Sequence, residues 1–273
     1  MSEDILHKWR NEMEGILKKA GEPVGPSQKY LQDRWHSILA HSPPRSVFYV
    51  EDMTSLEIRH RKGFEWIGYD EEEVFQIRDL TRMIPDFQKA IILHQVLGTY
   101  RVLDKWSLQK PSTDGFLGLY YSAIRAITDA NGKNWLALQT SEPWQYDSQH
   151  KIVSYLNWLH ILAPYEGQGV RIDFYHHEPK KYAHEVGKLN NMLQLEKQKL
   201  LEELGFTHQQ KEIIKGLYLG RSTKAIAKEW EISVAGVRYH YGRIKNTLEE
   251  FFKRSFRTTE EAVVYLTSQQ ILV

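Results

Sequence analysis

Ser233-Val-Ala-Gly-Val-Arg-Tyr-His-Tyr-Gly-Arg-Ile-Lys-Asn-Thr-Leu248 is the most informative stretch of the chain. Val234, Val237, Tyr241, Ile244 and Leu248 recur at alternating intervals of three and four, a stripe down one side of a helix. At about 100° per residue the opposite side carries Ala235, Tyr239, Gly242 and Asn246, flanked by Arg238 and Arg243. No acidic residue falls between 233 and 248. Small and basic outward residues let a helix lie in a DNA major groove, where Arg, Asn and Tyr reach base edges. A surface helix with merely solvated basic residues has the same composition, so its neighbours decide.

Just upstream, Ser222 or Thr223 opens a short helix through Ile226, Ala227 and Trp230, and Ser233 caps the next one. Ala227 is small where two helices cross closely, and Ala227, Glu231 and Val237 have the spacing of a helix-turn-helix unit. Glu231 stands at the turn position usually held by glycine, where a left-handed backbone costs an L-residue on the order of 1 kcal/mol more. Thr207-His-Gln-Gln210 and Thr258-Thr-Glu-Glu261 are capping boxes for two further helices, with Glu249 to Thr258 read as the connection to the last. Residues 205–273 therefore read as a small all-α domain of four helices. They hold eleven Lys/Arg against seven Asp/Glu, whereas residues 1–204 carry a slight acidic excess. A basic tail on an acidic body is the electrostatic footprint of a DNA reader. Thr223 and Lys224, at the start of the short helix, suit a phosphate contact, and Ser233 sits at the start of the reader helix.

Working outward, residues 178–204 are charged and helical. Val186, Leu193 and Leu200 recur every seven residues, with Leu189 and Leu204 near the intermediate places and Asn190 and Lys197 weakening the seam. A solvated linker helix packed on its own chain and a parallel two-helix seam fit this pattern equally. From 46 to 166 the texture is β-prone: Ser46-Val-Phe-Tyr-Val50, Leu56-Glu-Ile-Arg-His60, the run Phe116 to Ile127, Trp135-Leu-Ala-Leu-Gln139 after an Asn131-Gly132 turn, and Ile152 to Pro164. Asp70-Glu-Glu-Glu73 reads as a capping box, and Asp86 to Val102 as helix. Strands, then helices, then a three-stranded meander make an α+β domain of about five antiparallel strands. Residues 1–45 form a helical extension, its first piece striped by Ile5, Trp9, Met13 and Leu17.

Composition narrows the function. Of 273 residues 12% are aromatic, too many for a disordered chain, and none is cysteine. That removes disulfides, thiolate metal sites, Cys nucleophiles and cysteinyl-flavin photosensors. With neither a signal-peptide pattern nor a run long enough to span a bilayer, a cytoplasmic location without membrane association is expected. His94, His176-His-Glu178 with His184, and Ser107-Leu-Gln-Lys110 invite metal, haem or nucleophile readings. None has the accompanying motif, and no catalytic constellation or metal site is expected.

Two resemblances follow. Phe206-Thr-His-Gln-Gln-Lys-Glu-Ile-Ile214, Gly220-Arg-Ser-Thr-Lys-Ala-Ile-Ala227, Ile232-Ser233, Val237-Arg-Tyr-His240 and Ile244 resemble the C-terminal DNA-binding domain of LuxR-type transcription regulators. Gln210, Glu231, Gly236 and Thr247 depart from that pattern. The resemblance implies double-stranded DNA as partner, with contacts from Thr223, Lys224, Ser233, Arg238, Tyr239, Gly242, Arg243 and Asn246. Gly63-Phe-Glu-Trp-Ile-Gly-Tyr-Asp-Glu-Glu-Glu-Val74, Met83-Ile-Pro-Asp86 and the Asp129-Ala-Asn-Gly132 turn resemble a PAS sensory domain over 46–166. PAS domains enclose ligands or cofactors, or pair with each other. Trp66, Trp106, Trp135, Trp144 and Trp158 are candidates to line such a pocket, though packing in the core explains them more simply. Together these readings give a sensor-controlled DNA reader, expected as a homodimer, with a small-molecule ligand and no assigned cofactor. The alternative is a protein-interaction or cofactor-bearing module whose helix-turn-helix fold docks a protein such as RNA polymerase.

Overall fold

The computed structural model describes residues 7, 11, 12, 14, 15, 22–24, 27–109, 118–149 and 151–272. The stripe of Ile5, Trp9, Met13 and Leu17 lies outside the described residues. Helix α1 (Gln28–Ala40) is capped by Ser27, whose hydroxyl accepts from the Tyr30 amide. The strands are β1 (Pro23–Val24), β2 (Ser46–Asp52), β3 (Glu57–Lys62), β4 (Leu119–Thr128), β5 (Asn134–Asp147), β6 (Ile152–Pro164) and β7 (Arg171–His176). They form one antiparallel sheet in the order β3-β2-β6-β5-β4-β7, and β1 pairs with the end of β5 at Tyr146 and Asp147. Strands β2 to β6 fall on the five β-prone runs, but the sheet has seven strands rather than about five: β1 joins it from the stretch read as a helical extension, and β7 carries it beyond residue 166. Asp70 caps only a 3-10 turn, accepting from the Glu72 amide, and the true reciprocal box lies at Gln76 and Asp79.

Both faces of the sheet are covered near β2, every residue of which is buried. On the outer face Leu31 and Trp35 of α1 pack on Phe48, Val50, Trp144 and Leu156. The inner face is roofed by α2 (Asp86–Gln109), which also packs on helix α3 (Ala183–Gln198). Gly98 makes that crossing close: a Cβ there would lie 3.2 Å from the Glu196 Cβ and 3.7 Å from Leu193 Cδ1.

After α3 and a one-turn helix at Leu200–Glu203 come α4 (His208–Tyr218), α5 (Thr223–Glu229), α6 (Val234–Phe252) and α7 (Thr259–Ser268). The Thr207–Gln210 capping box is complete. At Thr258 it is displaced, because the Glu261 carboxylate accepts from the Arg257 amide instead. Helix α6 runs on through Phe252, so Glu249 to Phe252 belong to it rather than to the connection. Phe251, Phe252 and Phe256 are buried, and Phe252 and Phe256 lie against the Tyr265 ring.

The heptad residues settle between their two readings. Leu189, Leu193, Leu200 and Leu204 are buried in the chain's own core, with Ile91, Leu97 and Val102 of α2 in the same cluster. Ala262, Val263, Leu266 and Ile271 are buried there as well. Leu193 and Leu200 of the expected seam and the expected apolar residues of α7 are thus spent within one chain, since burial in the fold satisfies the same apolar pattern as a coiled-coil partner, while Val186 is half-buried and Leu195 and Val264 remain exposed. Leu193→Ala is expected to cost about 2–5 kcal/mol of stability. Urea unfolding of the full chain checks this, and a midpoint unchanged from wild type would contradict the packing.

Candidate functional site: an exposed reader helix and a buried polar belt

The turn between α5 and α6 is tight. Ser222 caps α5 by accepting from the Ala225 amide, and Ser233 caps α6 by accepting from the Gly236 amide. The Ile232 amide donates to the Ala227 carbonyl at 3.0 Å, and Glu231 adopts the left-handed conformation with φ 51°. The turn thus keeps its geometry without glycine and carries the cost expected of an L-residue there. Val237, Ile244 and Leu248 are fully buried while Val234 and Tyr241 are half-buried, so the whole apolar stripe faces inward.

That orientation fixes the other side. Ala235, Arg238, Tyr239, Gly242, Arg243 and Asn246 are exposed along one face of α6, with Tyr239 62% exposed despite its ring. The Arg243 guanidinium donates to the Tyr239 hydroxyl at 3.3 Å and lies over its ring, so the two brace each other one turn apart. Lys224 is exposed at the start of α5, whereas Thr223 is half-buried and accepts from Tyr241 Oη. Ser233 is exposed, with its hydroxyl already accepting the cap bond. With only seven residues, α5 has a small dipole, and the cationic character there comes from the Lys224 ammonium.

The tryptophans do not assemble a pocket. Trp66 is exposed, Trp144 packs under α1 on the outer face with Trp158 beside it, Trp106 is carried by α2 itself and buried in the core, and Trp135 donates from its indole to Asp129. His94 points from α2 toward the last turn of α3, its Nε2 3.3 Å from the Lys197 carbonyl, and so turns away from the sheet. His176 is buried against the Tyr182 ring, while His177 approaches Glu142 at 3.4 Å and His184 is exposed. Among the described residues no three His, Asp or Glu side chains form a metal-holding group. Lys110, the end of the Ser107 motif, lies outside the described residues. No helix among them is long and apolar enough to cross a membrane.

What the sequence did not reveal is a polar belt inside the sheet domain. Register places Tyr49, Asn157, Ser141 and Tyr121 in one row across β2, β6, β5 and β4. Glu51, Gln139 and Arg125 continue it on the same face, and all seven are buried or half-buried. Arg125 Nε donates to Gln139 Oε1 at 2.8 Å, and Gln139 Nε2 donates to Asn157 Oδ1 and Ser141 Oγ at 3.2 Å each. Glu51 is hydrogen-bonded to Asn157 and to Tyr100 of α2. Burial raises its pKa to about 7, opposed by those bonds and by the charge on Arg125. Burial also raises the Tyr49, Tyr100 and Tyr155 hydroxyls and lowers Arg125. An acid, a base, amides and phenols thus meet in a low-dielectric interior, the mixture with which proteins orient small polar ligands. Its residues are spaced by sheet register across four strands, a pattern that no linear motif displays.

No family model and no curated protein matches this chain. Among solved structures, one aligned chain is a Vibrio cholerae VqmA dimer, described as a LuxR-type receptor in the absence of target DNA. It is 14% identical over 86% of this chain and 87% of that one, with a TM-score of 0.31. VqmA bound to DPO aligns at 15% identity over 84% and 88% with a TM-score of 0.30. A phage VqmA–DPO complex aligns at 15% over 87% and 90% with a TM-score of 0.27.

The raised pKa of Glu51 has a definite sign. The folded state holds this proton more tightly than the unfolded chain, so its stabilising effect is complete below about pH 4.5 and is lost as pH rises through about 7. Glu51→Gln is expected to abolish that loss and to exceed wild-type stability at pH 8, by on the order of 3 kcal/mol at most. Thermal unfolding at pH 5 and pH 8 tests it. Equal pH dependence in both proteins would show that Glu51 is ionised throughout.

Proposed function

We propose that this chain is a cytoplasmic, sequence-specific DNA-binding transcription regulator in which a PAS-like sensor controls a LuxR-type reader. The supporting observation is the two-sided character of α6: a stripe of apolar residues sunk into the core and an exposed opposite face of small, hydrogen-bonding and basic residues. A helix held this firmly from behind presents Arg238, Tyr239, Gly242, Arg243 and Asn246 as a rigid surface, as base-edge reading requires. In this reading residues 205–273 are the reader, 178–204 the linker helix, and the domain starting at 46, with β7 added, the sensor. The buried belt of Glu51, Arg125, Gln139 and Asn157 is the sensor's small-molecule site.

One reader contacts one half-site, so tight reading at physiological salt calls for a homodimer on an operator of approximate two-fold symmetry. With the α3 seam spent internally, pairing falls to exposed apolar residues of the sheet, Leu162 and Tyr175 among them.

Selection of bound duplexes from random DNA supplies the operator, and two variants then separate reading from anchoring. Arg238→Ala is expected to cost about 1–3 kcal/mol on the selected site and to relax preference at one base position. Lys224→Ala is expected to weaken all sequences alike and to flatten the salt dependence by about one unit of slope. Equal loss on specific and random DNA for Arg238→Ala would reduce it to a phosphate contact. Failure to select any sequence would refute the function.

A further inference from the structure

The outer edge of β7 is completed by side chains. Strand β4 occupies one side of β7, leaving the amides of Val170, Ile172 and Phe174 and the carbonyls of Ile172 and Phe174 on the other. Open strand edges are normally paired, covered or blunted. Here each group has a side-chain partner. Gln269 Oε1 accepts from the Val170 amide at 2.8 Å, and Gln270 Oε1 accepts from the Ile172 amide at 3.1 Å. Lys197 Nζ donates to the Ile172 carbonyl at 2.6 Å and to Gln270 Oε1 at the same distance. Asn190 takes both groups of Phe174, accepting at 2.7 Å and donating at 3.1 Å. Asn190 and Lys197 are the two residues that spoil the heptad seam.

Half of this surrogate strand comes from α3 and half from the segment just after α7, the last element of the helical unit. Gln95 of α2 donates to the Gln269 carbonyl at 2.6 Å, and Gln194 donates to the Gln270 carbonyl at 3.1 Å. The fit is close: a Cβ on Gly169 would lie 1.9 Å from the Ser268 carbonyl oxygen. Each of these hydrogen bonds contributes a net of only about 1 kcal/mol over the same groups bonded to water. Lys197, almost fully buried, has its ammonium held by a carbonyl and an amide oxygen, and burial lowers its pKa to about 8.

Resting on the reading of the helical unit as a DNA reader, we propose that the β7 edge is a latch. Closed, it clamps Gln269 and Gln270 to the sensor and fixes the reader's orientation; open, it frees the reader to settle on DNA. Because the outward face of α6 is exposed while the latch is closed, control acts through orientation rather than occlusion. Helix α2 is placed to work it, since Gln95 holds Gln269 and Tyr100, further along the same helix, is hydrogen-bonded to Glu51 of the buried belt. Two residues five apart on one helix therefore touch the latch and the belt.

Gly169→Val drives a wedge into the latch without removing a hydrogen-bonding group, and Gln270→Ala opens it without added bulk. Both are made in the full chain. Without DNA, amide hydrogen exchange at Val170, Ile172 and Phe174 is expected to quicken at least tenfold in each variant, with the β5–β6 amides unchanged. Affinity for a duplex selected by the wild-type protein is expected to rise at least threefold. Unchanged exchange in both variants overturns the latch, as does quickening throughout the sheet in both. Local quickening with equal or weaker DNA binding overturns its control of the reader. If neither wild type nor variants bind any duplex, the reader assignment fails and the regulatory role falls with it, whereas local quickening would still establish the edge contact.

Discussion

Helix α2 is the constraint on which the molecule depends, because it is buried on two sides at once. One side roofs the sheet, where Tyr100 meets Tyr155 edge-on; the other carries α3 and packs on α6. A helix with apolar residues almost all round is stable only when covered on every side, and α2 is such a helix. Ile91, Leu97 and Val102 belong to the same buried cluster as Ile213, Val237 and Ile244 of the helical unit. The sheet domain and the helical unit thus share a core, and any displacement of α2 changes the packing of both.

The same constraint explains which features the sequence displayed. The helices of the C-terminal unit were legible because their signals are local, capping residues three apart, a stripe of three-four spacing and a small residue at the crossing, whereas the end of α6 at Phe252 and the displaced box at Thr258 were not. The five sheet strands were legible from β-branched runs and the Asn131-Gly132 turn. β7 was missed although Val170, Ile172 and Phe174 alternate, because the run is only six residues long and ends in charged, helix-like sequence. The heptad seam was ambiguous for a physical reason: Leu189, Leu193 and Leu200 look the same to a partner chain and to α2. The polar belt was invisible because Tyr49, Arg125, Ser141 and Asn157 are brought together by sheet register, not by sequence spacing.

Polar residues placed inside a core need a reason. A row of Tyr, Asn, Ser, Gln, Arg and Glu across four strands forgoes apolar burial worth roughly 1.5–3 kcal/mol per large side chain. Mutual hydrogen bonding limits the loss: Arg125, Gln139, Ser141, Asn157, Tyr121 and Glu51 have partners within the belt or on α2. The arrangement is stable enough to fold yet leaves an acid titrating near neutrality in the interior, a combination associated more with sites than with scaffolding. It also tolerates rearrangement, since amide and hydroxyl partners can be exchanged for those of a guest molecule without stranding a charge.

Under the proposed function, the molecule must join two surfaces with opposite needs: one that recognises a small signal and one rigid enough to read DNA. The division of rigidity here meets both. The reader face rests on aliphatic residues with no exposure at all, Val237, Ile244 and Leu248, so its geometry is set by close packing. The sensor interior and the β7 edge are instead held by side-chain hydrogen bonds whose strength depends on what else can occupy them. Both α2 and β4 touch these two polar regions: α2 through Tyr100 and Gln95, and β4 by carrying Tyr121 and Arg125 while pairing with β7. In the proposed reading, a signal that shifts the belt reaches the reader through packed elements, α2 and the β4–β7 pair, so the fold itself, and not a flexible tether, is the carrier of information.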